Sequence, residues 1–130
     1  AETFFADGDE ARAILLATNQ RGVDVAFEVA GEQSAVDAAF ASVKPGGCVV
    51  LAGIMDEDRT LFTASTARRK GLTIKLVRRM KHTYPRAIDL VARGLVDVRS
   101  LITHRFPLTQ VGEAFAVAAQ REGIKVMVKC

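Results

Sequence analysis

Three short apolar runs, each about the length of a β-strand, alternate with helix-forming segments, and this alternation limits the folds open to the chain. The runs are residues 23–29 (VDVAFEV), residues 48–54 (CVVLAGI) and the run from Leu72 to Val77 (LTIKLV). The middle run contains no polar side chain apart from its cysteine, which is typical of a strand buried on both faces of a parallel sheet. Strands and helices alternating at this spacing predict an α/β fold whose parallel strands are joined by right-handed crossovers.

Local signals place the remaining elements. A helix is predicted at residues 32–43, and the side chains of Ala35, Ala38, Ala39 and Ser42 are expected to face the sheet. Residues 44–47 (KPGG) predict a turn. Asp9 is a plausible N-cap and Thr83 another, with Pro85 in the first helical turn and Gly94 at the far end. The predicted helices span residues 9–19, 32–43, 61–69, 85–93 and 109–121, and the further extended segments span residues 3–6, 101–108 and 124–129.

Composition excludes several classes of protein. Of the 130 residues, 49% are hydrophobic and 25% are charged, which excludes a disordered chain. No uncharged apolar run approaches the roughly 18–20 residues of a membrane span, so we expect no membrane partner. The first residues (AETFF) do not resemble a signal peptide. With only Cys48 and Cys130, the chain lacks a disulfide framework and fits a reducing, cytoplasmic compartment, and its two cysteines and two histidines match no zinc-ligand spacing.

Charge is divided along the chain. Residues 1–58 carry eleven acids and three bases, a net charge of −8, whereas residues 59–130 carry fifteen bases and four acids, a net charge of +11. The two parts can attract each other within the fold or across a dimer, or the basic part can attract phosphate groups. Solvated surfaces are the simpler interpretation. Nucleic acid is not an expected partner, because the basic part has one tyrosine and no recognised binding motif.

Candidate binding residues follow the three apolar runs. In open α/β sheets, ligands bind beyond the carboxyl ends of the strands. Small residues after the first two runs allow a ligand to approach the backbone, and guanidinium groups after the third suit phosphate or sugar hydroxyls. Ordinary tight turns are the alternative for each glycine. The candidates are Val29, Ala30 and Gly31, then Ala52, Gly53 and Ile54, then Val77, Arg78 and Arg79.

Catalytic motifs are absent from the sequence. It contains no GxGxxG and no GxxxxGK[ST], and Gly46-Gly47 precedes a strand rather than following one. The four serines lack a nucleophile-elbow context. His104 is a possible general base, but a single histidine in a loop more often has a structural role. Cys48 is expected to be buried and inert. We therefore expect no catalytic residue and no metal ligand in this chain.

The order of the motifs resembles one family. The run of residues 22–31 (GVDVAFEVAG), then residues 44–47 (KPGG) and residues 49–53 (VVLAG), resembles the second half of the coenzyme domain of medium-chain, zinc-dependent alcohol and polyol dehydrogenases. Thr83-Tyr84-Pro85, residues 101–108 (LITHRFPL), Glu113-Ala114-Phe115 and the closing IKVMVKC resemble the sorbitol and xylitol dehydrogenase branch. The resemblance covers nearly the whole chain.

The resemblance implies roles for the candidate residues. The residues after the three strands would line an NAD(P) site, and Arg79, which precedes the threonine-aromatic-proline motif, would also contact a polyol substrate. The tyrosine usual at the next position is Met80 here, which removes a hydroxyl partner. Lys125 occupies a position where relatives place a basic residue near the coenzyme phosphates, although a solvated strand residue explains it equally well.

The resemblance also implies what the chain lacks. Family members carry a zinc-bearing catalytic domain, the glycine-rich turn and the first strands of the coenzyme fold ahead of the matching part, so we expect a C-terminal fragment. Its domains would be residues 1–94, a partial dinucleotide-binding (Rossmann) domain, and residues 95–130, a segment with a helix and a strand that returns to the catalytic domain. In the family's strand order 3-2-1-4-5-6, the three apolar runs would be strands 4, 5 and 6. Without strand 1, the outer edge of the run at residues 23–29 has no neighbouring strand and must be covered by another segment. Residues 124–129 or a partner chain could cover it, and the strand from Leu72 to Val77 would join two copies in a homo-oligomer.

The expected activity of the parent protein is hydride transfer between a secondary alcohol or polyol and NAD(P), with zinc bound in the missing part. The isolated chain would be inactive and would bind NAD weakly or not at all. A non-catalytic nucleotide-binding or dimerisation module is the main alternative, and a nucleic-acid binder is a more distant one.

Overall fold

The three apolar runs lie side by side in one sheet. The computed structural model describes residues 2–78, 80 and 82–130, which fall into two compact units, Ala1–Arg79 and Met80–Cys130. In the first unit, strands β1 (Val23–Glu28), β2 (Val43–Leu51) and β3 (Thr73–Leu76) are parallel and adjacent in that order. The predicted α/β class with a parallel sheet is confirmed.

Three helices accompany this sheet: α1 (Glu10–Ala17), α2 (Gln33–Ser42) and α3 (Ala64–Lys70). Each lies within or next to its predicted range, but α3 begins later than residue 61. The reason is a tertiary contact: the backbone of Leu61 is hydrogen-bonded to the Gln33 side chain, and Thr63 keeps an extended backbone (φ −73°, ψ 101°).

Two local predictions in this unit are wrong. Residues 3–6 form no strand; Phe4 and Phe5 are exposed, and no strand of the described residues pairs with them to complete a ladder. The turn predicted at residues 44–47 lies inside β2. Val23 of β1 pairs with Val43 and Val25 pairs with Cys48, so β2 accommodates these residues as a large bulge, with Gly46 at φ +73°.

The core of the first unit lies between α2 and β2. Val36, Ala39 and Phe40 of α2 are buried against Val43, Val49 and Leu51 of β2. The face predicted for α2 is therefore only half right. All four predicted residues line one groove beside α1 and β1, but Ala39 and Ser42 are buried there, whereas Ala35 and Ala38 are partly exposed. The larger side chains Val36 and Phe40 take the central positions because they bury more apolar area.

The second unit contains α4 (Tyr84–Ala92), β4 (Ile102–Pro107), α5 (Val111–Ala119) and β5 (Lys125–Lys129), with a 3-10 turn at Leu108–Gln110. β5 pairs in parallel with β4 in a two-stranded sheet. Among the described strands it is therefore not hydrogen-bonded to β1, which corrects one of the two possibilities above. Val126 and Val128 line a small groove together with Ala114, Phe115 and Ala118. The unit joins segments that are close in sequence, which keeps the entropy of loop closure small.

Both outer edges of the three-stranded sheet are free of strands within the described part of the chain. All four residues of β3 are exposed, and so are Val25 and Phe27 of β1. Among the same described residues, no helix has the length and apolar character needed to cross a bilayer.

Candidate functional site

The carboxyl ends of the three strands lie level with one another. The register pairs Glu28 with Leu51 and Leu51 with Leu76. The candidate residues that follow each strand therefore all lie at one edge of the sheet, the one formed by the carboxyl ends of the strands. The backbone N–H of Val77 donates to the Leu51 carbonyl oxygen at 2.9 Å, which holds the end of β3 against the end of β2.

Two glycines make a backbone-to-backbone contact at this edge. Gly31 follows β1 with φ +73°, and a Cβ atom there would collide with the backbone of Ile54. A Cβ atom on Gly53, after β2, would collide with the backbone of Gly31. Only glycine allows this close approach, because any side chain would occupy the space that the facing backbone fills. The turns after β1 and β2 are therefore packed directly against each other.

Glu28 lies beneath these turns and was missed by the sequence analysis. It is 3% exposed, and its Oε1 atom accepts the Gly31 backbone N–H at 2.6 Å. Its carbonyl oxygen accepts the N–H groups of Ala52 and Gly53 at 2.9 and 3.1 Å. The available signal was an acidic residue at the end of an apolar strand, three positions before a glycine.

Apolar side chains surround the glycine turns on the solvent side. Val29, Ile54 and Val77, one from each strand end, are 72%, 68% and 54% exposed. Ala30 and Ala52 keep the backbone accessible between them, and Arg78 is exposed beside Val77. Of the sequence-predicted residues, the structure thus brings eight to one edge. Arg79 lies outside the described residues.

Lys125 belongs to the other unit. It is the first residue of β5, pairs with Ile102 and is exposed. Thr103 on the neighbouring strand donates its hydroxyl to the Lys125 carbonyl oxygen at 3.3 Å. In the same unit, the Tyr84 hydroxyl donates to the Met80 sulfur at 2.9 Å. His104, considered as a base, is half-buried and has Nδ1 3.0 Å from the Thr103 hydroxyl, with no acid among its described hydrogen-bond partners.

A cleft of about 470 Å³ lies beside the glycine turns, between the start of α2 and the loop after β2. Gln33 closes one wall: its Nε2 donates to the Leu61 carbonyl oxygen at 2.8 Å, and its Oε1 accepts the Leu61 N–H at 3.3 Å. Asp56, Glu57 and Arg59 line the loop side of the cleft. Within the described ranges, no three His, Cys, Asp or Glu side chains are grouped as metal ligands.

Comparison with known proteins agrees with this architecture. Residues 1–93 match the model of the zinc-binding dehydrogenase family. The chain is 35% identical over 122 residues to sorbitol dehydrogenase of Bacillus subtilis, covering 92% of this chain and 35% of that protein. It is 35% identical over 107 residues to sorbitol dehydrogenase of Gallus gallus, covering 82% of this chain and 30% of that protein. It also superimposes on alcohol dehydrogenase TADH from Thermus sp. ATN1 with a TM-score of 0.78 at 25% identity, covering 91% of this chain and 34% of that one.

The fold and the ordered motifs are those of the zinc-type alcohol and polyol dehydrogenase family. The chain belongs to the zinc-binding dehydrogenase family, which confirms the resemblance found in the sequence. It spans about a third of the length of the curated relatives that it matches.

Proposed function

We propose that this chain supplies the second half of an NAD(P) site in a dehydrogenase that transfers hydride between a secondary alcohol or polyol and the nicotinamide. The observation that carries the proposal is the level edge of three parallel strands, where two glycine turns pack together and exposed apolar side chains surround them. Such an edge suits the flat faces of a dinucleotide, which buries apolar surface while backbone groups orient its polar atoms.

The proposed coenzyme contacts are the residues after the three strands. Val29, Ile54 and Val77 offer apolar surface. The backbone carbonyl groups at Ala30, Gly31, Ala52 and Gly53 offer polar atoms, since the N–H groups of Gly31, Ala52 and Gly53 are bonded to Glu28. Arg78 and Arg79 offer positive charge for phosphate or ribose, and Arg79 is also the proposed substrate contact. Lys125 is proposed to act near the coenzyme phosphates.

Zinc does not fit within the described residues of this chain, since they hold no group of three possible ligands. We propose that the metal belongs to the part of the relatives that this chain does not match, and that the chain is a C-terminal fragment of a cytoplasmic enzyme. The proposed division is residues 1–94 for the partial coenzyme domain and residues 95–130 for the segment that returns to the catalytic domain. Alone, the chain would bind the coenzyme weakly and would not turn over.

The exposed area supports a larger protein around this chain. Folded proteins with the masses of the two units, taken as separate molecules, expose about 8,000 Å² together, whereas this chain exposes 10239 Å². The difference of roughly 2,000 Å² is more than twice the roughly 800 Å² that one partner contributes to a standard protein–protein interface. Additional protein covering the edge of β1 and the face that bears Val25 and Phe27 would remove such an excess.

We also propose that two copies associate through β3. Its outer edge has no strand among the described residues, and Ile74 and Leu76 are 36% and 79% exposed. An unpaired edge of this kind is a template for strand pairing with another chain. Sedimentation of the purified chain should give about twice 14.0 kDa, and Ile74→Pro should return it to a monomer. A wild-type monomer at all concentrations contradicts this pairing.

The decisive experiment has two parts, one on the coding sequence that precedes this chain and one on the activity of the purified chain. The coding sequence upstream of Ala1 should contain an in-frame GxGxxG and zinc-ligand residues, and the purified chain should not reduce NAD⁺ with sorbitol, as followed at 340 nm. Bacillus subtilis sorbitol dehydrogenase serves as the positive control. Steady turnover by the chain alone contradicts its proposed inactivity. A reading frame without those motifs favours the second candidate, a non-catalytic module that dimerises through the free β3 edge.

A further inference from the structure

Glu28 is the one acidic side chain among the buried residues of the described chain. Its burial is a cost, because a carboxylate loses its hydration when it is taken from water and needs partners in return. Within the described residues it forms no salt bridge, and its described side-chain partner is the backbone N–H of Gly31 at 2.6 Å. A short hydrogen bond to an ionised acceptor is about twice as strong as a neutral one.

The second carboxylate oxygen faces the other glycine turn. Oε2 lies 2.5 Å from the position that a Cβ atom on Gly53 would occupy. The carbonyl oxygen of the same residue accepts the N–H groups of Ala52 and Gly53. Glu28 therefore contacts both turns at once, from the inner side of the edge, while Val29 and Ile54 project to the solvent side.

An apolar residue at this position would fill the space but would leave the Gly31 N–H without its partner. An unsatisfied buried N–H is expensive, and the turn would relax by rotating that amide away. Because Gly31 packs on the backbone of Ile54, the displacement would pass to the turn after β2. The carboxylate thus couples the geometry of the two turns.

We propose that Glu28 is a positioning residue for the coenzyme-facing edge: its buried carboxylate holds the turns at Gly31 and Gly53 in the arrangement that receives the dinucleotide. This inference rests on the proposed function, since the edge matters for positioning only if a coenzyme binds there. Glu28 itself acts from beneath the turns, through Gly31.

The test uses the 130-residue chain, labelled with ¹⁵N, and four forms of it: wild type, Glu28→Gln, Glu28→Ala and Ser42→Ala. Glutamine keeps the size and an acceptor oxygen but loses the charge, and alanine loses both. Ser42 is an equally buried polar residue, 2% exposed, at the far end of α2, where it donates to the Ala39 carbonyl oxygen. It therefore controls for the general effect of losing a buried hydrogen bond.

The first measurement is hydrogen exchange at the Gly31 amide. Loss of a hydrogen bond to a charged acceptor changes an equilibrium constant about tenfold or more. We expect Glu28→Ala to speed exchange at Gly31 at least about tenfold relative to Ser42→Ala, with Glu28→Gln between them. Equal exchange at Gly31 in the alanine variants of Glu28 and Ser42 overturns the proposal. If Glu28→Ala does not fold, Glu28→Gln against Ser42→Ala decides in the same way.

The second measurement is a titration with NAD⁺, followed by the amide shifts of Gly31 and Gly53. We expect shifts in wild type and in Ser42→Ala, a severalfold weaker response in Glu28→Ala and a partial rescue in Glu28→Gln. Equal NAD⁺ affinity in wild type and Glu28→Ala overturns the positioning role even if exchange has changed. No NAD⁺ response in wild type contradicts the proposed coenzyme site itself and removes the positioning role with it; the exchange data then show separately whether Glu28 holds the turn.

Discussion

The ammonium nitrogen of Lys70 lies 2.6 Å from the carbonyl oxygen of Ala41, joining the end of α3 to the end of α2. It also donates to the carbonyl oxygens of Phe40 and Val43 at 3.0 and 2.8 Å. The last carbonyl groups of a helix have no partner within the helix and carry partial negative charge. Burial lowers the pKa of the Lys70 ammonium, and the three acceptors compensate the hydration that it has lost.

Replacing this lysine should therefore loosen the first unit. We expect Lys70→Met to lower the free energy of unfolding by about 1–3 kcal/mol, since it removes charged hydrogen bonds and leaves carbonyl groups unsatisfied. Urea unfolding followed by circular dichroism measures the change. Arg69→Met is the matched control, because it removes one positive charge from an exposed position of the same helix turn. A similar loss in both variants would show that net charge, and not the cap, is responsible.

The glycine contact at the strand ends predicts a strong dependence on side-chain size. Gly53→Ala should lower the free energy of unfolding by about 2 kcal/mol or more, because the new methyl group meets the Gly31 backbone and Glu28, neither of which can move freely. Chemical unfolding measures the loss.

Two other glycines provide the controls for Gly53. Gly46 has φ +73° with no neighbouring atom within 4 Å, so Gly46→Ala should cost only about 1 kcal/mol of backbone strain. Gly112 lies in α5 with open space around it, so Gly112→Ala should stabilise its unit by roughly 0.5 kcal/mol. If Gly53→Ala lowers the free energy of unfolding no more than Gly46→Ala does, the two turns are not closely packed as described.

Asp24 provides a pH-dependent contribution to stability. Its Oδ1 atom accepts hydrogen bonds from Arg21 at 2.7 Å and from Lys44 at 2.5 Å, and these bonds hold the pKa of Asp24 well below its usual value of 3.8. A carboxyl whose pKa is lower in the folded state stabilises that state above its unfolded pKa and loses this contribution as the pH falls. Asp24→Asn should thus be less stable than wild type at pH 7, and the difference should shrink below about pH 4.

Urea midpoints at pH 7, 5, 4 and 3 measure this convergence. Asp56→Asn removes an exposed loop carboxylate with no described ion pair and should show a much smaller difference at every pH. Because the Asp24 pairs are exposed, added salt should reduce their contribution. A difference for Asp24→Asn that is the same at all four pH values would point to packing rather than charge.

The Gln33 side chain should protect the loop after β2 from proteolysis. Its two hydrogen bonds to the Leu61 backbone hold a loop that contains Arg59, an exposed site for trypsin. Gln33→Ala should accelerate cleavage after Arg59 severalfold, since the rate follows the population of the open loop. Mass spectrometry of limited digests identifies the product, and Gln120→Ala, at the exposed end of α5, is the control. Equal rates in the two variants contradict the proposed restraint.

Sequence-based prediction worked where a signal is carried by neighbouring residues. The apolar runs located the three strands, and the helices between them fell close to their predicted ranges. The buried face of α2 was only half right, because the choice between Ala38 and Phe40 depends on which side chain β2 meets. The pairing of β5 with β4 was missed for a similar reason: both strands were predicted, but an isolated strand does not specify its partner.

At the candidate edge, too, some features were predictable from neighbouring residues and others depended on tertiary contacts. Small residues after two apolar runs identified Gly31 and Gly53 as candidate binding positions, and the ordered motifs identified the family. An acidic residue at the end of an apolar strand was a local signal for Glu28. Its place beneath both glycines, and the contact between the glycines, depend on the parallel register that places Glu28 beside Leu51.

By itself, the sequence determined the α/β class, the approximate position of the five observed strands, the family and the residues that follow the strand ends. Periodicity and turn chemistry act over a few residues, so they can be read along the chain. The tertiary structure alone decided that Lys70 bonds the Ala41 carbonyl group, 29 residues away near the end of α2, that β5 joins β4, and that a buried carboxylate holds two glycine turns. These features depend on burial and register between distant segments, where the free energy comes from contacts that exist only after the chain has folded.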